Sequence, residues 1–386
     1  MTDMVYGGAA AHEGEPILPR WWHSVDRVSL ACVLGLIVLG ILLTMAASPP
    51  LAERNGQAQF SYVIKQLIFA GPAIFVLLAT SMCEPTKIRR IGVVGFLLFF
   101  VAIVLLPVFG TDYGKGATRW YSLGFGSLQP SEFIKPCYAV TAGWLMAAGK
   151  EIGGPPGGKL AASLGAVLCL MLALQPDFGQ AGLIFVAWVV MYFISGAPLM
   201  WLILAGVSVA ALMRFAYSAS EHVARRIDGF LSADVDPRTQ IGYAMDAIKE
   251  GGFLGVGLGE GEVKWRLPDA HTDFIIAVGA EEYGMIIVLL VIALYMTITI
   301  RALMRLSQER DLFIRLAGSG LAALFATQAM INLGVAVRLL PAKGMTLPFI
   351  SYGGSSLVAA SLSMGMLLAL TRTRPQHELS EILGGQ

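Results

Sequence analysis

Apolar runs long enough to cross a lipid bilayer recur along most of this sequence, and their recurrence leaves few folds open. A spanning helix needs about 20 predominantly apolar residues. About ten stretches qualify, near 28–47, 66–83, 91–109, 132–149, 160–174, 179–196, 198–217, 274–300, 313–338 and 346–371. The 386 residues are 56% hydrophobic and only 14% charged, whereas about a quarter of a soluble globule is charged. One buried core cannot absorb that much apolar surface without a polar shell of comparable extent, so most of it must face lipid. The expected fold class is therefore an all-α polytopic membrane protein, with about ten transmembrane helices and a large outside loop between helices 7 and 8. A net charge of +1 supplies no broad basic field, which argues against a nucleic-acid partner.

Basic residues in short loops set the orientation. With both termini inside, Arg20, Arg27, Lys87, Arg89, Arg90, Lys150, Lys159, Arg301, Arg305, Arg310, Arg315, Arg372 and Arg374 are cytoplasmic, and few basic residues remain in the short outside loops. The expected layout is a cytoplasmic tail at 1–27, a transmembrane domain at 28–372 containing an outside loop at 218–272, and a cytoplasmic tail at 373–386. Residues up to Asp26 have no apolar core of their own and lead directly into the first run, which reads as an uncleaved helix, not a signal peptide. Cys32, Cys137 and Cys169 lie inside apolar runs and Cys83 ends one, with no disulfide or zinc-ligand spacing. The long loop mixes charges with Ile241, Ala244, Ile248 and Phe253, a pattern expected of a segment packed against the membrane surface and bearing function.

Polar residues placed where a bilayer makes them costly carry the chemical information. Glu132 and Lys135 begin the fourth run at the spacing of an i,i+3 ion pair, and Glu281 and Glu282 interrupt the eighth. The paired glutamates read as structural. The glycine-rich run at 251–261 imitates a dinucleotide fingerprint but lacks the strand and soluble sheet that motif needs; its glycines are expected to permit tight turns near a ligand or the membrane. A dense polar run follows, from Lys264 to Asp273, ending where the eighth helix enters the bilayer. An aspartate at that boundary, desolvated on one side and open on the other, suits a general base. Thr272 or Asp273 directly before Phe274 is also normal N-cap chemistry, and His271 alone would be a surface residue.

Here the sequence resembles a known family. Residues 267–276, Leu-Pro-Asp-Ala-His-Thr-Asp-Phe-Ile-Ile, are similar to a signature of the SEDS (shape, elongation, division, sporulation) peptidoglycan glycosyltransferases, with Gly251-Gly252 and the alternating glycines upstream in the family's order. Residues 341–356, Pro-Ala-Lys-Gly-Met-Thr-Leu-Pro-Phe-Ile-Ser-Tyr-Gly-Gly-Ser-Ser, resemble a second hallmark. Gly116-Ala117-Thr118-Arg119-Trp120 with the 129–135 segment, and Gln175-Pro176-Asp177-Phe178-Gly179, add two more. The Lys-Gly-x-Thr-Leu-Pro form around Lys343 is closer to the FtsW-type cell-division branch than to the RodA-type elongation branch. Asp269 stands where the family usually has Glu, and Gly261 where a serine is often found.

The resemblance implies polymerisation of lipid II at the outer face of the bacterial inner (cytoplasmic) membrane during septal wall synthesis, releasing undecaprenyl pyrophosphate. It places the catalytic carboxylate at Asp273. Fixed positive charge for the leaving pyrophosphate is expected from Arg119, Lys135, Lys343, Arg225 and Arg226, and Trp120 packs on a sugar or anchors at the headgroups. Glu132, Lys264, His271, Ser351 and Tyr352 complete the candidate substrate-binding set. No resident cofactor is implied with certainty; a magnesium or manganese ion could bridge pyrophosphate and an aspartate, although no multi-ligand metal motif is present. The implied partners are membrane lipid, a class B penicillin-binding protein acting as transpeptidase, and other divisome proteins. A lipid II transporter and a scaffold without catalysis are the competing readings.

Overall fold

The computed structural model describes residues 17–112, 118–124, 126–219, 224, 228, 229, 232, 239–267, 269–341 and 344–373. Each of the ten apolar runs contains a helix. A short helix α1 (Ile17–Ser24) precedes α2 (Arg27–Arg54), α3 (Ser61–Ser81) and α4 (Pro85–Phe109). A hairpin of β1 (Tyr121–Ser122) antiparallel to β2 (Ser127–Leu128) leads to α5 (Pro130–Ala148). Then come α6 (Gly157–Leu174), α7 (Phe178–Ile194) and α8 (Leu199–Ala219). The remaining helices are α9 (Gln240–Gly251), α10 (Ile275–Tyr283), α11 (Met285–Ser307), α12 (Leu312–Ala336) and α13 (Gly354–Leu370). Pro85 and Pro130 stand in the first turn of α4 and α5, where the ring fixes φ and the missing N–H costs nothing.

Six of these helices, α2, α3, α4, α6, α11 and α12, are long and apolar enough to cross a membrane, and α7, α8 and α13 contain shorter apolar runs. The fourth run behaves differently. In α5, 15 of 19 residues are buried, so this helix runs through the interior of the bundle and can carry ionisable groups away from lipid. Beside it, α12 packs on α5, α7, α11 and α13. Small residues permit the approach: a Cβ on Gly143 of α5 would lie 2.7 Å from the Ala317 backbone nitrogen of α12, the close contact that packs helices in lipid.

Two expected runs are not continuous helices. The eighth breaks at Gly284, whose φ of 75° and ψ of −172° end α10 and start α11, so Glu281 and Glu282 sit in the last turn of a separate short helix. The break frees backbone groups, and the upstream glycine-rich run supplies their partners. Val256 N–H donates to Glu281 O (2.9 Å), Gly257 N–H to Glu282 O (3.2 Å), and Met285 N–H to Gly252 O (3.0 Å). The glycines therefore approach a broken helix of the same chain. The tenth run opens with non-helical backbone over 344–353 before α13 begins.

Part of the described long loop packs on the bundle, although Phe253, expected to pack, is 66% exposed. Ala244 and Ala247 of α9, with Val263, Leu267 and Ala270, share a core with Ala46 and Ala47 of α2, with Phe274, Ala277 and Val278, and with Val335 of α12. This layer caps the bundle end opposite the one that holds Arg20, Arg27, Arg301, Arg305 and Arg372. That latter end is the one that the excess of basic residues assigns, from the sequence, to the cytoplasm.

Candidate active site at the outer end of the bundle

The site is organised by α12, which faces two loops at once. Gln328 and Asn332 stand one turn apart on that helix, so their side chains project from the same face. Gln328 Nε2 donates to Thr346 O (2.9 Å), while Asn332 Nδ2 donates to Met345 O (2.7 Å) and to Asp273 O (3.1 Å). Two neutral amides thus bind the 344–347 segment to the helix and bring the turn carrying Asp273 against it. Ser351 reinforces the junction: its hydroxyl donates to Thr272 O (2.5 Å) and accepts from Leu347 N–H (2.8 Å). Tyr352 N–H donates to His271 O (2.9 Å). The two motifs that lie about 70 residues apart in sequence meet here.

Asp273 is half-buried and lines a small cavity, about the size of one water, with Ile331, Asn332, Val335, Gly344 and Met345. It does not cap the helix. The N-cap of α10 is Phe274, which makes no side-chain cap hydrogen bond. Residues 269–274 form a hydrogen-bonded turn instead, with Thr272 N–H and Phe274 N–H both donating to Asp269 O (3.2 and 3.3 Å). The side chain of Asp269 accepts from Gln240 Nε2 of α9 (3.0 Å).

Behind the cavity runs a chain of buried polar groups. Gln180 Nε2 donates to Glu132 Oε1 (2.5 Å), and Lys135 Nζ donates to Glu132 Oε2 (2.8 Å) and to Gln328 Oε1 (2.9 Å). The side chains of Lys135 and Glu132 are 4% and 6% exposed. A second small cavity is walled by Glu132, Lys135, Phe325, Gln328 and Pro348 among others. The i,i+3 pair read from the sequence is present, but it is part of a network reaching α12 and, through Gln328 and Asn332, the two motif loops.

Several residues expected to touch substrate also bond to the protein itself. Arg119 donates to the carbonyls of Gln175 and Pro176 (2.9 Å each), fixing the turn between α6 and α7. In that turn Asp177 is buried, and burial pushes its carboxyl above the usual carboxylate range, against the pull of nearby Arg119. Trp120 joins Thr111 in a short backbone bridge. Lys264 is 3% exposed and paired with Glu282, with a further bond to Gly259 O (3.3 Å). Glu281 accepts from Val263 N–H (2.7 Å) and Lys264 N–H (3.2 Å), so both glutamates are structural, as read. This also accounts for Gly261, where an added Cβ would lie 2.8 Å from Glu281 Cδ. The His271 and Tyr352 rings lie 5.9 Å apart and each faces Tyr62, at 6.1 and 5.2 Å. Arg225, Arg226 and Lys343 lie outside the described residues.

Sequence reasoning missed Gln328 and Asn332. The available signal was two amides at i and i+4 inside a predominantly apolar run, a placement that lipid penalises. Among the described residues no group of three or more His, Cys, Asp or Glu side chains is placed to hold a metal ion.

Comparison with known proteins agrees with this architecture. The model of the family FTSW_RODA_SPOVE, described as "Cell cycle protein", matches residues 26–376. The chain is 41% identical over 369 residues to the probable peptidoglycan glycosyltransferase FtsW of Caulobacter vibrioides, covering 95% of this chain and 94% of that one. Among solved structures, a chain from a study of structural coordination of polymerization and crosslinking by a peptidoglycan synthase complex aligns with a TM-score of 0.75 at 25% identity, covering 91% of this chain and 99% of its own. The rod shape determining protein RodA of Thermus thermophilus has the same fold, with a TM-score of 0.67 at 24% identity over 92% of this chain and 99% of that one.

Proposed function

The chain belongs to the FtsW/RodA/SpoVE family of cell cycle proteins, and from that premise we propose that it is a peptidoglycan glycosyltransferase of the FtsW type. It polymerises lipid II at the outer face of the cytoplasmic membrane during septal wall synthesis. The observation that carries this reading is the meeting of Asp273 with the 344–347 segment at one cavity wall, at the bundle end away from the basic residues.

In the reaction, a sugar hydroxyl of the acceptor attacks the anomeric carbon of the donor. The new C–O bond forms as the bond from that carbon to the pyrophosphate oxygen breaks, and undecaprenyl pyrophosphate leaves. Asp273 takes the hydroxyl proton, a step that contributes on the order of 10²- to 10⁴-fold in enzymes of this kind. The leaving group carries negative charge that fixed cations must offset. Lys135 and Lys264 are already paired with glutamates and Arg119 with backbone carbonyls. That role therefore falls to Lys343, which immediately precedes the cavity residue Gly344 in sequence, and to the Arg225-Arg226 pair. A divalent cation would find Asp273 as the sole carboxylate lining the described cavity and would need the substrate's phosphates for its other ligands. No step above requires it.

The partner is a class B penicillin-binding protein that cross-links the new strand, a reading supported by the likeness to a chain of a polymerising and crosslinking complex. The test uses purified protein, its transpeptidase partner and labelled lipid II. Wild type makes glycan chains, and Asp273→Asn, folded and still bound to the partner, makes none. Equal product from both would defeat the assignment, and movement of lipid II across vesicles without polymer would favour a transporter.

A further inference from the structure

Asn332 is 2% exposed, yet only one end of its carboxamide is bonded. Its Nδ2 serves two carbonyls, Met345 O at 2.7 Å and Asp273 O at 3.1 Å. Only an NH₂ group can donate to both, so the orientation of the amide is fixed by its neighbours. Oδ1 is thereby left as a buried acceptor to which no described residue donates. Buried polar atoms in folded proteins are nearly always paired, and an exception calls for a missing partner. The same side chain lines the small cavity together with Asp273. A hydrogen-bond donor placed at that cavity would supply the missing partner.

We propose that Asn332 is a substrate-binding residue: its Oδ1 accepts a hydrogen bond from a hydroxyl or acetamido N–H of the lipid-linked sugar held at Asp273. Its Nδ2 meanwhile keeps the Asp273 turn and the 344–347 segment in place. The inference rests on the polymerase reading. It adds a neutral acceptor that orients the sugar ring beside the base without competing for the proton, because an amide oxygen is far less basic than a carboxylate.

The two ends of the carboxamide can be separated by substitution. Asn332→Asp keeps an oxygen acceptor at the same reach and removes the donor; Asn332→Leu removes both while preserving volume. Initial rates of polymerisation are measured in the purified complex with labelled lipid II, alongside thermal unfolding of each variant. The expected result is a lower kcat for both, with KM for Asn332→Asp near wild type and KM for Asn332→Leu raised about tenfold or more, the loss of one buried hydrogen bond to substrate. If Asn332→Leu unfolds, Asn332→Ala takes its place. Equal KM values in all three proteins would reduce Asn332 to a clamp and overturn the proposal. A wild-type complex that makes no glycan would instead remove the polymerase reading on which it stands.

Discussion

The two ends of this bundle differ in how their buried polar groups are paired. At the basic end, Asp26 is 2% exposed and both its oxygens are taken. Arg301 holds it with three bonds of 2.8 to 3.2 Å, Ser29 Oγ donates at 2.8 Å, and Arg305 approaches to 3.5 Å while also donating to Thr371 O. Arg372 ties Ser24 to Met82 beside it, and Trp21 Nε1 donates to Ser81 Oγ. These contacts join α1, α2, α3, α11 and the end of α13. At the outer end the charges of Glu132, Lys135, Lys264 and Glu282 are paired too, but the neutral Gln180 Oε1, Asn332 Oδ1 and Thr346 Oγ1 lack partners among the described residues, as Arg315 Nε does at the basic end, and a small cavity adjoins Asn332. A saturated cluster fixes structure. An unsaturated one, held in place by a saturated frame, is ready for a ligand.

That contrast can be tested through stability first. The largest effect is expected at Lys135, because Lys135→Met leaves Glu132 buried without its cation, at a cost of roughly 3–5 kcal/mol. The double variant Glu132→Met with Lys135→Met should be distinctly less destabilised in denaturant unfolding. A single variant no worse than the double would mean that the pair is not buried as described.

A smaller effect is expected at Gly261. The added Cβ of Gly261→Ser must displace the Glu281 carboxylate from the Val263 and Lys264 N–H groups, costing roughly 1–3 kcal/mol. Unfolding at wild-type denaturant concentration would show that this outer frame yields easily.

The smallest effect belongs to Asp26, whose partner Arg301 is 38% exposed, so solvent screens part of the pair. Burial raises the Asp26 carboxyl, but its bonds to Arg301 and Ser29 and the charge of Arg305 outweigh this and hold it below the ordinary value. A carboxyl lowered by folding stabilises the protein above its unfolded pKa and loses that contribution as pH falls through the folded one. Wild type should therefore lose stability relative to Asp26→Asn below about pH 4, by about 1–2 kcal/mol. Parallel stability curves for the two proteins across that range would show the cluster to be idle.

Much of this was legible in the sequence. Ten apolar runs announced the bundle, the i,i+3 spacing announced the Glu132–Lys135 pair, and the polar run ending at Asp273 announced the site. What stayed hidden depends on partners distant along the chain. The run 274–300 looks continuous because hydropathy does not register a backbone break; Gly284 breaks it at low cost only because glycines some 30 residues earlier bond the freed groups. Asp273 next to Phe274 resembled a cap, and the helix starts one residue too late for that. Lys135 and Arg119 read as ligands for phosphate, and the carboxylate and carbonyls that also hold them were hidden, because a sequence shows a charge but not its partner along the chain.

The central claim, that chemistry resides at Asp273 and not in the paired Asp26 cluster, is tested most directly by one paired rate measurement. Glycan synthesis from labelled lipid II is compared for Asp273→Asn and Asp26→Asn in complex with the transpeptidase, with unfolding followed on the same samples. The expected outcome is a loss of at least about 100-fold for Asp273→Asn at unchanged stability, and a rate within about twofold of wild type for Asp26→Asn despite its lost ion pair. Comparable losses in the two variants, or a larger loss at Asp26, would contradict it.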